Sequence, residues 1–127
     1  MIQPGQYDIG IDMVNVDRIR SSYERYGEQF LKKILTPAEL ILCRQKADMI
    51  QSAAARFAAK EAISKALGCG ICRDFTWHCV EILNDPAGRP YAHMTAHMKK
   101  HRDMSIKISL SHDRHYAAAM VIVSCPS

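Results

Sequence analysis

The sequence predicts an α+β domain in which a mainly antiparallel sheet packs against a long alanine-rich helix. Two observations predict this class. Short segments that suit β-strands occur at both ends of the chain. Between them, the segment 51–67 contains seven alanines and is small-sided on nearly every face, which is typical of a helix buried against a sheet. A chain of 127 residues can bury one hydrophobic core, so a single domain is expected over residues 1–127.

The first elements are a strand and a helix. Residues 7–13 predict a strand, because Ile9 and Ile11 alternate with polar or small residues. A helix is expected from about residue 16 to 26, with a stop near Gly27.

Two more helices are marked by their ends. Thr36, Pro37 and Glu39 have the spacing of a capping box with proline in the first turn, so a helix should run from there to about residue 46. The alanine-rich helix should end at Gly68, the residue type best suited to the left-handed conformation after a helix.

The C-terminal half predicts an antiparallel arrangement of strands. The expected strands are 80–83, a strand beginning at Tyr91, 105–111 and 116–124. A tight turn at 84–88 joins the first two, and Asp113-Arg114 joins the last two as a hairpin. The stretch 93–101 could form a short helix.

The charge distribution favours an acidic partner. The net charge is +4, and the segment 18–46 carries all of this excess. A nucleic-acid binder would show a denser basic stripe with interleaved aromatic residues, so nucleic acid is not expected as a partner.

Composition also suggests where the chain resides. Five cysteines in no regular framework suggest reduced thiols in the cytoplasm. The N-terminus lacks the pattern of a secretory signal, and no apolar run reaches the roughly 20 residues of a membrane helix, so no membrane is expected as a partner.

The candidate site combines two carboxylates and a lysine. On a helical wheel, Glu61, Ser64, Lys65 and Gly68 fall within roughly one third of the circumference of the alanine-rich helix. Together with Asp12 of the first strand, Glu61 could hold Mg²⁺, and Lys65 would then neutralise a phosphate. The alternative is structural: Glu61 and Lys65 form an ordinary surface pair, and Asp12 caps the following helix.

Four blocks of sequence carry a family resemblance. They are GIDMVNVDRI at 10–19, RFAAKEAISKALGCGI at 56–71, EILNDPAGRPY at 81–91 and SLSHDRHYAAAMVI at 109–122. In this order they resemble the holo-acyl-carrier-protein synthases, the short bacterial type of 4′-phosphopantetheinyl transferase. The resemblance implies an α+β fold that assembles as a homotrimer with active sites at subunit interfaces. It also implies Mg²⁺-dependent transfer of phosphopantetheine from coenzyme A to a serine of acyl carrier protein, which leaves adenosine 3′,5′-bisphosphate and supports fatty acid biosynthesis.

The resemblance assigns roles to individual residues. Asp12 and Glu61 match the metal-binding carboxylates, Glu61 and Lys65 are the candidate catalytic residues, and Arg18 and Arg25 match the helix that faces the acidic carrier protein. Coenzyme A is expected to contact nine positions: Arg56, Ser64, Lys65, Gly68, Gly88, Arg89, Pro90, Ser111 and His112. Of these, Ser111 and His112 match a segment thought to reach coenzyme A from the neighbouring subunit. The base that accepts the serine proton stays open between Glu61 and a metal-bound water oriented by Asp12 or Glu61.

Some features depart from the family or favour other functions. About nine residues precede Gly10, where many relatives begin almost directly, and these could form an extra edge segment or a loose tail. Cys69 and Cys72 form a C-x₂-C pair, and His93, His97 and His101 recur every four residues, but no second paired motif completes a zinc site. A non-catalytic metal-binding or partner-binding module of the same fold is the rival class.

Overall fold

The computed structural model describes residues 5–71, 75–95 and 104–125. The elements in chain order are β1 (Tyr7–Asn15), α1 (Val16–Tyr26), α2 (Glu28–Ile34), α3 (Pro37–Arg44), α4 (Met49–Leu67), β2 (Val80–Asn84), β3 (Pro90–Met94), β4 (Ser105–His112) and β5 (Tyr116–Ser124). The predicted α+β class with an antiparallel sheet and a long alanine-rich helix is confirmed.

The strands form two antiparallel units. One is a three-stranded sheet in the order β1-β5-β4, and the other is the β2–β3 hairpin. β1 pairs with β5 along its whole length, from Tyr7 opposite Ser124 to Asn15 opposite Tyr116. Residues 7–9, which precede Gly10, therefore extend the strand, and the Gly5 N–H continues the pairing by donating to the Cys125 carbonyl.

Helix α4 packs against one face of the three-stranded sheet. The Asp48 side chain caps its N-terminus by accepting from the N–H groups of Ile50 and Gln51. It ends at Gly68, which has a left-handed backbone with φ of 78°. Most of its residues are buried, and its alanines allow the helix axis to lie close to the strands.

Gly10 sets the distance between β1 and α4. A Cβ atom at this position would lie 1.8 Å from the carbonyl oxygen of Ala62. Only a residue without a side chain permits this approach. Because strand residues two apart share a face, Asp12 also points toward α4.

A buried ion pair connects α3 with α4. Lys60 Nζ lies 2.6 Å from Glu39 Oε1, and both side chains have no exposed surface. Lys60 also donates to the carbonyls of Ile34 and Trp77. Glu39 completes the predicted capping box by accepting from Thr36 N. Sequence analysis did not find this pair.

Two local predictions differ from the structure. Helix α2 was not expected, because the residue before it, Gly27, offers no side-chain cap to mark its start. The possible helix over 93–101 is wrong at residues 93 and 94, which lie in β3. The rest of that segment from residue 96 onward lies outside the described residues.

The sheet face opposite α4 carries large apolar side chains. On β1, Tyr7, Ile9, Ile11 and Met13 are between 64% and 74% exposed. Met120, opposite Ile11 on β5, is also exposed. An apolar face of this kind is typical of a surface that another protein covers.

Across the described ranges 5–71, 75–95 and 104–125, none of the helices combines the length and the hydropathy that a membrane crossing requires.

Candidate active site

The first part of the site is a cluster on β1 and α4. Lys65 Nζ lies 2.8 Å from Asp12 Oδ1 and 3.0 Å from the Ile11 carbonyl oxygen. Asp12 lies inside β1, opposite Ala119, because the strand continues past the predicted end at residue 13 to Asn15. Its alternative role as a helix cap is also wrong, because the Asn15 side chain caps α1.

Glu61 belongs to the same cluster, because the charges of Asp12 and Lys65 both affect its pKa. Partial burial raises the pKa of Glu61 above its usual range, the Asp12 carboxylate raises it further, and the Lys65 ammonium opposes the shift. The two carboxylates are thus close enough to repel each other. A divalent cation between them would remove this repulsion, so the donor set fits a hard cation such as Mg²⁺.

Ser64 and Gly68 shape the C-terminal end of α4 near this cluster. Ser64 is fully buried, and its Oγ donates to the Glu61 carbonyl oxygen at 2.7 Å. The Ser64 carbonyl accepts from Cys69 N and Gly70 N, which closes the turn after the helix. The Ser64 hydroxyl is therefore hydrogen-bonded to the helix backbone, while Gly68 lies exposed at the turn.

The second part of the site is a cavity of about 400 Å³ beside the N-terminal half of α4. Four of the predicted coenzyme A residues line it, namely Arg56, Gly88, Pro90 and His112. His112 belongs to the same chain as the other three, so a single subunit brings this group together.

Arg56 is the buried charged residue of the cavity wall. Its side chain is buried, and it donates to the Ile82 carbonyl, to the Ser52 carbonyl and hydroxyl, and to Asn84 Oδ1. None of these partners is a carboxylate. A buried guanidinium held only by neutral acceptors keeps its positive charge available to an anion.

The two parts of the site point in different directions on one subunit. Arg56 and Glu61 are five residues apart on α4, which turns their side chains by about 140° relative to each other. Asp12, Glu61 and Lys65 do not line the cavity. One chain therefore presents a carboxylate cluster and a separate arginine cavity.

Two predicted contacts lie next to the cavity and not in its wall. Arg89 lines a smaller neighbouring cleft of about 270 Å³ together with Tyr91 and Lys107. Ser111 is exposed on β4, one residue before His112.

Helix α1 presents the predicted basic surface. Arg18 and Arg25 are both exposed, and the Arg25 guanidinium lies 5.3 Å from the centre of the Tyr26 ring. Arg20 of the same helix is bound to Asp48, with 3.0 Å between Nη2 and Oδ2. Burial alone would raise the pKa of Asp48, but hydrogen bonds from Gln51 N and Arg20 outweigh it and lower the pKa below its usual value.

Sequence analysis missed several residues of the cavity wall. Lys46, Ser52 and Asn84 line it in addition to the predicted residues. Ser52 lies four residues before Arg56, so helical periodicity could have found this contact. Asn84 lies 28 residues away from Arg56 in sequence, and no local pattern connects the two.

No zinc site is found in the part of the chain that the structure describes. There, no group of three or more His, Cys, Asp or Glu side chains is arranged to hold a metal ion. Cys72, His97 and His101 lie outside the described residues.

Comparison with known proteins identifies the family. The sequence profile of the 4′-phosphopantetheinyl transferase superfamily matches residues 8–121. The holo-[acyl-carrier-protein] synthase of Chlorobaculum tepidum is 52% identical over 115 residues, which covers 91% of this chain and 96% of that protein. The chain belongs to the holo-[acyl-carrier-protein] synthase family. The resemblance found in the sequence and the expectation of a transferase are confirmed.

Solved structures of this family share the fold. The Helicobacter pylori holo-[acyl-carrier-protein] synthase in complex with coenzyme A has a TM-score of 0.82 and 36% identity, over 91% of this chain and 99% of that chain. The holo-[acyl-carrier-protein] synthase of Neisseria meningitidis has a TM-score of 0.85 and 31% identity, over 92% of this chain and 97% of that chain.

Proposed function

We propose that this protein transfers the 4′-phosphopantetheine group from coenzyme A to a serine of apo-acyl carrier protein. The products are holo-acyl carrier protein and adenosine 3′,5′-bisphosphate, and the reaction supports fatty acid biosynthesis in the cytoplasm. The observation that carries the proposal is the cluster of Asp12, Glu61 and Lys65, two mutually repelling carboxylates beside an ammonium. The family membership of the chain supports coenzyme A and acyl carrier protein as substrates, because a relative from Helicobacter pylori is a holo-[acyl-carrier-protein] synthase solved in complex with coenzyme A.

Asp12 and Glu61 would hold Mg²⁺ in this enzyme. When bound, the ion would supply charge neutralisation for the pyrophosphate of coenzyme A. Asp12 currently accepts a hydrogen bond from Lys65, which holds the carboxylate toward α4. The Lys65 side chain is half-exposed, and it is long and flexible, so its ammonium group can move from Asp12 to a phosphate oxygen.

The protein side of the reaction consists of positioning and proton transfer. The serine hydroxyl attacks phosphorus, the bond to the leaving bisphosphate breaks, and the hydroxyl proton passes to a base. Glu61 is one candidate acceptor, because its carboxylate lies in the cluster with Asp12 and Lys65. A water oriented by Asp12 or Glu61 is the alternative acceptor. Lys65 would stabilise the charge that develops on the leaving phosphate.

The arginine cavity would hold the nucleotide end of coenzyme A. Its wall supplies the buried Arg56 guanidinium and the exposed Lys46, and its one described carboxylate, Asp48, is paired with Arg20. The cavity therefore favours an anion. Its volume of about 400 Å³ suits a nucleotide, since small-molecule sites commonly have 300–1,000 Å³. Gly88 and Pro90 line it where the β2–β3 turn leads into β3, and Arg89 between them lines the neighbouring cleft.

Helix α1 would dock the acidic carrier protein. Arg18 and Arg25 are seven residues apart, about two helical turns, so both lie on the same side of the exposed helix. Exposed charges of this kind act mainly on association rate and specificity.

A homotrimer of this single-domain chain would cover the apolar sheet face and complete the site. The apolar side chains of β1 and β5 form one continuous surface, because Ile9 is paired with the half-buried Ile122 and Ile11 with the exposed Met120. The family resemblance implies active sites at subunit interfaces, and a trimer would pair the carboxylate cluster of one subunit with the arginine cavity of its neighbour. The two separate parts would then form one composite active site.

The proposal is tested by labelling a purified apo-acyl carrier protein. We expect its intact mass to increase by one phosphopantetheine group when coenzyme A, Mg²⁺ and this protein are present. Omission of coenzyme A, or chelation of Mg²⁺ with EDTA, should abolish the increase. A carrier protein that stays unmodified under complete conditions, with a known synthase as positive control, would favour a non-catalytic binding module instead.

A further inference from the structure

The Arg56 guanidinium is held by a chain of hydrogen bonds that begins in the core. Arg56 Nε donates to the Ile82 carbonyl oxygen at 2.9 Å. On the other side of the same residue, the Ile82 N–H donates to Glu39 Oε2 at 2.8 Å. Glu39 Oε1 in turn accepts from Lys60 Nζ at 2.6 Å. The position of the guanidinium therefore depends on an ion pair deep in the core.

The Glu39–Lys60 ion pair orients its neighbours and adds no net charge near the cavity. Glu39 and Lys60 are fully buried, and their opposite charges cancel as seen from the cavity. The described partners of the Lys60 ammonium also include the carbonyls of Ile34 and Trp77, and the Glu39 carboxylate also accepts from Thr36 N. A network satisfied in this way is rigid, because moving any member would leave a buried polar group unpaired.

Asn84 holds the other end of the guanidinium. Its Oδ1 accepts from Arg56 Nη2 at 2.9 Å, and its Nδ2 donates to the Gly88 carbonyl oxygen at 2.9 Å. One neutral side chain thus connects the arginine with the turn that borders the cavity. An aspartate could hold Arg56 equally well, but it would neutralise the guanidinium and could not donate to Gly88.

We propose that Glu39, Lys60 and Asn84 are positioning residues that hold Arg56 in the cavity wall with its charge uncompensated, so that it binds a phosphate of the coenzyme A nucleotide. This inference rests on the proposed function. It explains why the buried Arg56 side chain is surrounded by neutral acceptors. It also explains why Glu39, the carboxylate of this network, is already paired with Lys60.

The test compares two probes that differ only in phosphate, adenosine 3′,5′-bisphosphate and adenosine, by calorimetric titration of the full-length protein. For Asn84→Asp we expect affinity for the bisphosphate to fall by at least about 10-fold, as is common for residues that orient a binding group. Affinity for adenosine should stay unchanged. Asn84→Ala should give a smaller, equally phosphate-selective loss, because Arg56 stays charged but is less well held.

The buried pair is tested by the double variant Glu39→Gln with Lys60→Met, which keeps the side-chain volumes and removes both charges. We expect the same phosphate-selective loss and a higher KM for coenzyme A, with the KM for carrier protein unchanged. Arg44→Met is the matched control, since it removes an exposed ion pair with Glu28 on α3 and should change neither affinity.

The possible outcomes separate the two proposals. If the wild type labels carrier protein but both Asn84 variants bind the bisphosphate as tightly as the wild type, the positioning role is wrong. Equal losses of bisphosphate and adenosine affinity would also overturn it, because they indicate general damage to the cavity. A wild type that neither binds the bisphosphate nor labels carrier protein would overturn the proposed function itself.

Discussion

Gly10 and Asp12 show how single residues place the candidate chemistry. The missing side chain at position 10 lets the Ala62 carbonyl approach β1, where any Cβ would clash at 1.8 Å. Because of this close contact, Asp12, two residues later on the same face, reaches the Lys65 ammonium. Gly10 is therefore a packing requirement for the carboxylate cluster.

The first prediction concerns the two carboxylates. Asp12→Asn and Glu61→Gln should each lower Mg²⁺-dependent transfer by at least about 100-fold, because each removes one charge from a two-carboxylate site and several kcal/mol of transition-state stabilisation. Thermal melting should show that both variants stay folded. Asp8→Asn is the matched control, since Asp8 is an exposed carboxylate on the same strand and its removal should leave activity unchanged. Normal activity in both site variants would contradict the assignment.

The residues of the site differ in how far the sequence could predict them. Glu61 and Lys65 are one helical turn apart, so their shared face followed from spacing, and their roles followed from the family resemblance. The link between Arg56 and Asn84 is a contact across 28 residues between a helix and a strand end. No periodicity relates such positions, so only the folded structure could reveal it.

At the scale of elements, helix ends were predicted better than strand partners. The capping box at Thr36 and the left-handed Gly68 are local, and both were found from their residue types. The pairing of β1 with β5 joins opposite ends of the chain, and alternation in β1 did not indicate which face would meet α4. The structure turns Gly10 and Asp12 toward the helix and the isoleucines outward.

The second prediction concerns the N-terminus of α4. Asp48→Ala should lower the free energy of unfolding by about 1 kcal/mol at pH 7, because it removes the helix cap. Asp48→Asn should lower the free energy of unfolding by less, because asparagine can still cap the helix. The exposed ion pair with Arg20 that it removes contributes less than about 1 kcal/mol. Chemical denaturation of the three proteins measures both differences.

The pH dependence of this stability follows from the lowered pKa of Asp48. A carboxyl group whose pKa is lower in the folded state stabilises the fold above its usual value of 3.8, and that contribution is lost as pH falls through the folded value. The difference between wild type and Asp48→Ala should therefore shrink below about pH 4. A difference that stays constant down to pH 2 would contradict the role of the ionised carboxylate.

The third prediction concerns α1 as a docking element. Reversing Arg18 and Arg25 to glutamate should raise the KM for carrier protein and flatten its salt dependence, because these exposed charges steer an acidic partner. The KM for coenzyme A should hardly change, since the arginine cavity lies elsewhere. Arg44→Glu, a charge reversal on α3, serves as the control. Loss of coenzyme A affinity with normal carrier-protein affinity would show that the two substrates are wrongly placed.

For the molecule as a whole, the apolar sheet face is the feature that a single subunit leaves unexplained. The fourth prediction is that the wild type sediments as a trimer at micromolar concentration and that Ile9→Lys shifts it toward monomer. Burying a lysine in an apolar interface without a partner is strongly unfavourable. Ile41→Lys is the matched control, because Ile41 on α3 is 59% exposed, close to the 65% of Ile9. A fully active monomeric wild type would contradict the assembly.

The central claim is that one active site combines the carboxylate cluster of one chain with the arginine cavity of another. It is tested most directly by mixing two inactive variants, Asp12→Asn and the double variant Lys46→Glu with His112→Glu, and measuring labelling of carrier protein after subunit exchange. Random exchange should restore about one quarter of the wild-type activity, because one in four composite sites then has both parts intact. If exchange is complete and activity stays absent, each site lies within a single chain, and the account is wrong.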